Sequence, residues 1–295
     1  MMAADVAEIA SLWDQDACPT DPVELLVYQS NLLGADPRIT NFGGGNTSAK
    51  LTMEDPLTGD SVEVLWVKGS GGDLASMTRS GLAALYMSRF LALTARYENG
   101  GLAEDDVVPL YGQCAFGGVQ TPASIDTPLH GLVPPRFVNH FHADACIAIA
   151  AAEGAEHITR ECFGGEVGFV PWKRPGMDLG LMCRQALAND PNIKGLIMGS
   201  HGIICWADDQ RGVYELSLRL VNQARRFIDS RSKEHPFGPV HRPTPDADRR
   251  ARWAALLPAL RGRVFHEGRR LIAHVDESDT VLDFLAREKM ELLAA

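Results

Sequence analysis

The chain predicts an α/β fold in which helices layer a central mixed or antiparallel sheet. Two observations carry this expectation. Segments with apolar residues at helical spacing are interleaved with short apolar or alternating runs, so both element types are needed. Their order shows no regular strand-helix-strand-helix period, which favours a mixed or antiparallel sheet over a parallel one.

Taken in order, Asp21-Pro22 followed by Val23, Leu25, Leu26, Tyr28 and Leu32 reads as a helix with an Asp N-cap and proline at its first position. The Gly-rich run Phe42-Gly43-Gly44-Gly45-Asn46-Thr47-Ser48 separates two strand-like segments, 38–41 and 49–53. A strand over 62–68, alternating around Trp66, enters a second Gly-rich turn, Gly69-Ser70-Gly71-Gly72. Residues 74–95 have the apolar spacing of one helix, and 108–128, rich in Pro, Gly and Thr, read as an irregular connection. Phe137-Val138-Asn139 leads as a short buried strand into His140-Phe141-His142, with a helix over 145–152 packed behind. A strand over 167–172 stops at Lys173-Arg174-Pro175-Gly176, and a helix follows over 179–188. Strand-like runs 193–198 and 203–206 flank His201, and Asp208-Asp209 caps a long helix carrying Val213, Leu216, Leu220 and Phe227.

The composition changes near Ser232. Residues 232–250, with several prolines and many charges, read as a linker. Beyond it the pattern predicts a helix over 252–257 stopped by Pro258, a strand over 269–274 and a helix over 280–293. This divides the chain into a main domain, 1–231, and an extension, 232–295, that either docks on the main domain or leads to a further one.

With 295 residues, 45% of them hydrophobic, the chain can bury one large core. A formal net charge of -10 argues against a nucleic-acid partner, which needs clustered Lys and Arg, and points to a small substrate. Six scattered cysteines with no C-x-x-C pair fit reduced thiols, Asp5 and Glu8 stand where a secretory signal would be basic, and no apolar run approaches a membrane span. A soluble, cytoplasmic protein with no membrane partner is expected.

His140 and His142 alternate along a strand and so aim two imidazoles to one side. His201, in the turn Met198-Gly199-Ser200-His201-Gly202, can close a tripod. Three neutral nitrogens leave a tetrahedral Zn²⁺ one open position, the arrangement of a catalytic rather than a structural site. The two Gly-rich turns offer unobstructed backbone N–H groups to an anion, with Asn46, Thr47 and Ser70 as neutral donors. Neither is a nucleotide-binding motif, so a phosphorylated small substrate is favoured. Asp126, in the segment before the histidine pair, is a carboxylate able to fill the fourth coordination position or to move protons. His130 reads as a structural hydrogen-bonding residue.

The motifs Gly44-Gly45-Asn46-Thr47-Ser48, Lys68-Gly69-Ser70-Gly71, Ser124-Ile125-Asp126, His140-Phe141-His142 and Ser200-His201-Gly202, in this order, resemble the class II aldolase/adducin family over roughly residues 20–230. Around residues 33–38 and 125–130 the chain is most similar to the aldolase half of bifunctional rhamnulose-1-phosphate aldolase/lactaldehyde dehydrogenase proteins. The resemblance implies a three-layer α/β/α sandwich, a homotetramer with active sites at subunit interfaces, and a C-terminal dehydrogenase domain that this chain lacks. It implies one Zn²⁺ per chain on His140, His142 and His201, phosphate binding by Gly45, Asn46, Ser70, Gly71 and Ser124, and acid/base work by Asp126. Asp126 stands where monofunctional sugar-phosphate aldolases have a glutamate. The shorter side chain requires a closer backbone or a relaying water. The implied reaction is retro-aldol cleavage of a ketose 1-phosphate, most of all L-rhamnulose 1-phosphate, to dihydroxyacetone phosphate and L-lactaldehyde. Sugar-phosphate 4-epimerases, metal-dependent decarboxylases and a non-catalytic adducin-like interaction module are the rival readings on the same fold.

Overall fold

The computed structural model describes residues 7–41, 44–118, 121–231, 237–240, 245–264, 268 and 272–290. Contacts divide the chain into two compact units, 1–230 and 231–295. The first unit holds a seven-stranded sheet in the order β3-β2-β1-β4-β7-β6-β5. Its strands are β1 (Asn46–Glu54), β2 (Ser61–Lys68), β3 (Leu82–Tyr86), β4 (Phe137–Phe141), β5 (Val167–Val170), β6 (Gly195–Met198) and β7 (Gly202–Ala207). Every neighbouring pair is antiparallel except β5 with β6. The expected mixed, largely antiparallel sheet is therefore present.

Alternation along the strands explains the layering. In β2, Val64 and Trp66 join the core on one face, whereas Leu65 and Val67 join a separate core on the other. Each face needs its own apolar cover. The first face packs against α1 (Pro22–Gly34), α5 (Asp144–Ala150), α6 (Ala155–Phe163) and α8 (Gln210–Asp229). The opposite face lies under α2 (Met87–Glu98), the single turn α3 (Glu104–Val107), the short α4 (Thr127–Gly131) and α7 (Met177–Asn189). The result is the three-layer α/β/α sandwich. Two helix starts follow the expected capping chemistry: Asp21 accepts from the Val23 and Glu24 amides at 2.9 Å, and Asp209 accepts from Gly212 N at 2.7 Å. From α8, Val213, Leu220 and Val221 are fully buried, each contributing about 1.5–3 kcal/mol by area.

Several expectations need correction. Residues 38–41 form no strand, because Asp36 satisfies their amides locally: its carboxylate accepts from Arg38 N at 2.9 Å and its carbonyl from Ile39 N at 2.9 Å. The helix expected over 74–95 is instead a 3-10 turn at Arg79–Gly81, then β3, then α2. Leu82 to Tyr86 is an unbroken apolar run that suits either period, and its pairing with β2 from Lys68↔Leu82 to Val64↔Tyr86 decides the outcome. The α6 helix was not anticipated. Phe42 and Gly43 of the first Gly-rich run lie outside the described residues.

In the second unit, α9 (Asp246–Arg263) starts inside the expected linker and continues through Pro258. Proline there removes one helical hydrogen bond. Acidic residues in the first turn and Arg261 and Arg263 in the last turn oppose the helix dipole and support the helix on either side. The helix α10 covers Asp279–Leu285, shorter than the expected 280–293, of which 291–293 lie outside the described residues. Residues 272–274 carry no strand, and 269–271 are not described. All six cysteines are free thiols, five of them buried. Among the described residues no helix is long and apolar enough to cross a membrane.

Candidate metal centre

The strand register brings the three histidines together at one end of the sheet. His140, the fourth residue of β4, pairs with Asn46 at the start of β1 and with Ile204 of β7. His142 follows immediately after β4 ends. His201 lies in the tight turn between β6 and β7, where the Met198↔Gly202 pair closes the ladder. That turn is achieved at a cost, since Ser200 has φ 51, a left-handed conformation unusual for a residue with a side chain.

Glycines permit the close approach. A Cβ on Gly202 would stand 2.8 Å from His142 Cδ2 and 2.8 Å from the Phe141 carbonyl oxygen. Gly45, with φ 75, enters β1 where a Cβ would meet the His140 carbonyl oxygen at 3.0 Å. Both positions exclude a larger residue for a reason that concerns the histidines directly.

The imidazole centroids are 4.7, 4.8 and 5.1 Å apart, and one nitrogen from each ring lies within 4.8 Å of the others. His140 is fully buried, and its Nδ1 lies 2.9 Å from the Ile203 carbonyl oxygen. A carbonyl only accepts, so Nδ1 carries the proton and Nε2 presents its lone pair. The Nε2 atoms of His140 and His142 are 3.1 Å apart. Two nitrogens so placed need a proton or a cation between them. His201 Nδ1 is buried with no protein hydrogen-bond partner. Burial pulls the His140 and His201 pKa values down to about 3, and it lowers that of His142. Three neutral imidazoles converging with a donor-oriented back nitrogen fit a divalent ion.

Asp126 belongs to the same neighbourhood. Burial raises its pKa, and the positive charge that His201, His142 or Lys68 can carry opposes the rise. Its Oδ1 is buried and has no protein hydrogen-bond partner. A carboxyl whose pKa burial raises, with one oxygen lacking a protein partner, near three converging imidazoles is suited to proton transfer.

The remaining predicted residues gather at the same end of the sheet. Asn46 is buried and donates from its amide to the Lys68 carbonyl at 3.4 Å. Lys68 ends β2 and leads into Gly69-Ser70-Gly71, where Ser70 N donates to the Pro122 carbonyl at 3.0 Å and Gly69 bridges Ala123. This ties the turn to the segment holding Ser124, whose hydroxyl accepts from Asp126 N at 3.2 Å. Ser70 is exposed, and Gly71, with φ 78, leaves open space where a Cβ would stand. His130 has the structural character expected of it: it is fully buried with Nδ1 2.8 Å from the Ser48 hydroxyl.

The sequence reading missed Lys50 and Ser48, which lie behind this site. Ser48 stood in the Gly-rich motif without a role, and the signal for Lys50 was that Asn46, Ser48 and Lys50 recur with period two along one strand, a pattern that normally marks a solvent face.

Comparison with known proteins agrees with this architecture. The family model of the Class II Aldolase and Adducin N-terminal domain matches residues 24–228. A curated relative, the Uncharacterized oxidoreductase YuxG of Bacillus subtilis (strain 168), is 33% identical over 281 residues, covering 94% of this chain and 40% of that protein. The chain thus spans well under half of that relative's length. Among solved structures, the N-terminal Class II Aldolase domain of a conserved protein from Thermoplasma acidophilum is similar with a TM-score of 0.65 and 27% identity, over 75% of this chain and 99% of that one. A sugar-phosphate aldolase from Thermotoga maritima shares the fold, with a TM-score of 0.51 and 12% identity over 72% and 97% of the two chains. The chain belongs to the class II aldolase and adducin family.

Proposed function

We propose that the protein is a metal-dependent aldolase that cleaves a ketose 1-phosphate, with L-rhamnulose 1-phosphate as substrate and dihydroxyacetone phosphate and L-lactaldehyde as products. The observation that carries the reading is the convergence of three neutral imidazoles, His140, His142 and His201, near a half-buried carboxyl with raised pKa, Asp126. The choice of L-rhamnulose 1-phosphate rests on the sequence similarity around residues 33–38 and 125–130.

His140, His142 and His201 would hold the ion, and three nitrogen ligands with an open position suit Zn²⁺. When bound, the cation supplies Lewis acidity toward the carbonyl and neighbouring hydroxyl oxygens of the ketose. Gly45, Asn46, Ser70, Gly71 and Ser124 anchor the phosphate, using binding energy remote from the reacting bond to orient it. Asp126 delivers a proton to C3 of the enediolate left when the C3–C4 bond breaks. The C4 hydroxyl gives its proton to solvent as its carbon becomes the aldehyde, and Asp126 regains its proton from solvent, so the cleavage is redox-neutral and consumes no net proton. A homotetramer is the proposed assembly.

The test is release of dihydroxyacetone phosphate from L-rhamnulose 1-phosphate, together with metal analysis of the purified protein. Release that a chelator abolishes, Zn²⁺ restores and His201→Ala lacks is the expected result. Return of an isomeric sugar phosphate without triose phosphate would make the protein an epimerase, and loss of carbon dioxide from another substrate a decarboxylase. Failure to bind any divalent ion would overturn the enzymatic reading in favour of an interaction module.

A further inference from the structure

We propose that Lys50 is a positioning residue for Asp126, acting through the short helix α4; the proposal rests on the proton-transfer role assigned to Asp126 above. Asn46, Ser48 and Lys50 point from β1 to the face of the sheet that α4 covers, and all three are buried. Such a polar stripe beneath a helix is costly unless each group is hydrogen-bonded. Lys50 Nζ donates to the carbonyl oxygens of His130, Val133 and Pro135 at 2.7, 2.7 and 2.8 Å. An ammonium has three N–H donors, and here each has its own acceptor. The first of these acceptors belongs to the last turn of α4, and the others to the segment that follows it.

Two more contacts hold the same helix. The Ser48 hydroxyl meets His130 Nδ1 at 2.8 Å. On the far side α4 is wedged between neighbours, since a Cβ on Gly180 of α7 would stand 2.6 Å from Pro128 Cβ and one on Gly131 would stand 2.3 Å from the Phe90 ring. Asp126 occupies the N-cap position of α4, and its carbonyl accepts from Leu129 N at 2.9 Å. Oδ1 has no protein hydrogen-bond partner, so beyond a hydrogen bond to Ser124 the carboxyl takes its place from the helix that carries it.

The strand β1 therefore connects the two halves of the site. Its first residue, Asn46, pairs with His140. Its fifth, Lys50, sets where α4 ends. A one-turn helix moves as a unit, so releasing its C-terminal end displaces Asp126 relative to the tripod. Burial draws the Lys50 pKa down to about 7, whereas carbonyls at a helix C-terminus favour the cation. Either protonation state retains donors for the anchor.

The experiment compares Lys50→Met, Lys50→Arg and wild type in zinc-loaded protein, reading kcat, KM, zinc content and amide hydrogen exchange over residues 127–133. Lys50→Met is expected to lower kcat about a hundredfold, the scale of an ångström-sized misplacement, with KM and zinc content unchanged and faster exchange confined to 127–133. Lys50→Arg, which keeps donors for the carbonyls, is expected to restore most of the rate. Should Lys50→Met fail to fold, Ser48→Ala loosens the same helix more gently and is expected to show the same pattern at smaller amplitude. Wild-type kcat per bound zinc in a folded Lys50→Met protein, or unaltered exchange over 127–133, overturns the proposal. Absence of turnover in wild-type protein would count against the aldolase reading alone, because exchange still reads the anchoring of α4.

Discussion

Asp126 owes its chemistry to surroundings rather than to residue type. An acidic residue in a Pro- and Thr-rich segment is ordinarily solvated, but here burial raises its pKa beside two of the three histidines. Replacement by asparagine keeps size and removes the titratable acid, so Asp126→Asn is expected to lower kcat by about 10²–10⁴-fold while zinc content stays at the wild-type level. Equal loss of zinc would instead make Asp126 a metal ligand. Gly202 offers a second test at this scale. Its missing Cβ leaves room for His142, so Gly202→Ala is expected to weaken zinc affinity in competition with a chromophoric chelator, with the circular dichroism spectrum retained. The tripod was legible in the sequence because histidines alternating in a strand and one in a Gly-flanked turn are distinctive. Lys50 was not, since a lysine in an alternating strand looks the same whether the facing layer is water or a helix.

At the scale of elements, α4 and β3 show where local pattern fails. Both are about one turn or a few residues long, and their states follow from neighbours: β3 from the ladder with β2, α4 from the polar stripe of β1 beneath it. The buried imidazole in α4 also has a thermodynamic consequence. Burial holds the His130 pKa well below the ordinary 6.5. Between that depressed value and 6.5 the unfolded chain binds a proton that the folded chain does not, so stability falls as pH drops below about 6.5. Urea midpoints at pH 7.5 and 5.5 are expected to show this loss in wild type and a smaller one in His130→Phe, provided that variant folds. An identical pH slope in the variant would remove His130 as the cause. Helices α1 and α8, by contrast, were legible almost to their first residues, because Asp21 and Asp209 cap them through side-chain bonds encoded within a few positions.

For the molecule as a whole, the histidine site and the full sheet lie within the unit 1–230, which contains the residues matched by the family model. Residues 1–230 produced alone are expected to keep a cooperative thermal transition and to bind one zinc ion per chain. Loss of both would show that residues 231–295 are required by the first unit. The sequence by itself determined the mixed sheet, the capped helices, the identity of the three histidines and the family, because these depend on local periodicity, capping and the spacing of rare residue types. Tertiary structure alone decided that Leu82 to Tyr86 is a strand, that Asn46, Ser48 and Lys50 face a helix rather than solvent, and that Asp126 is half-buried near the tripod. Each of those outcomes depends on what a segment meets across the layers, and pairing partners and burial are set by residues far away along the chain.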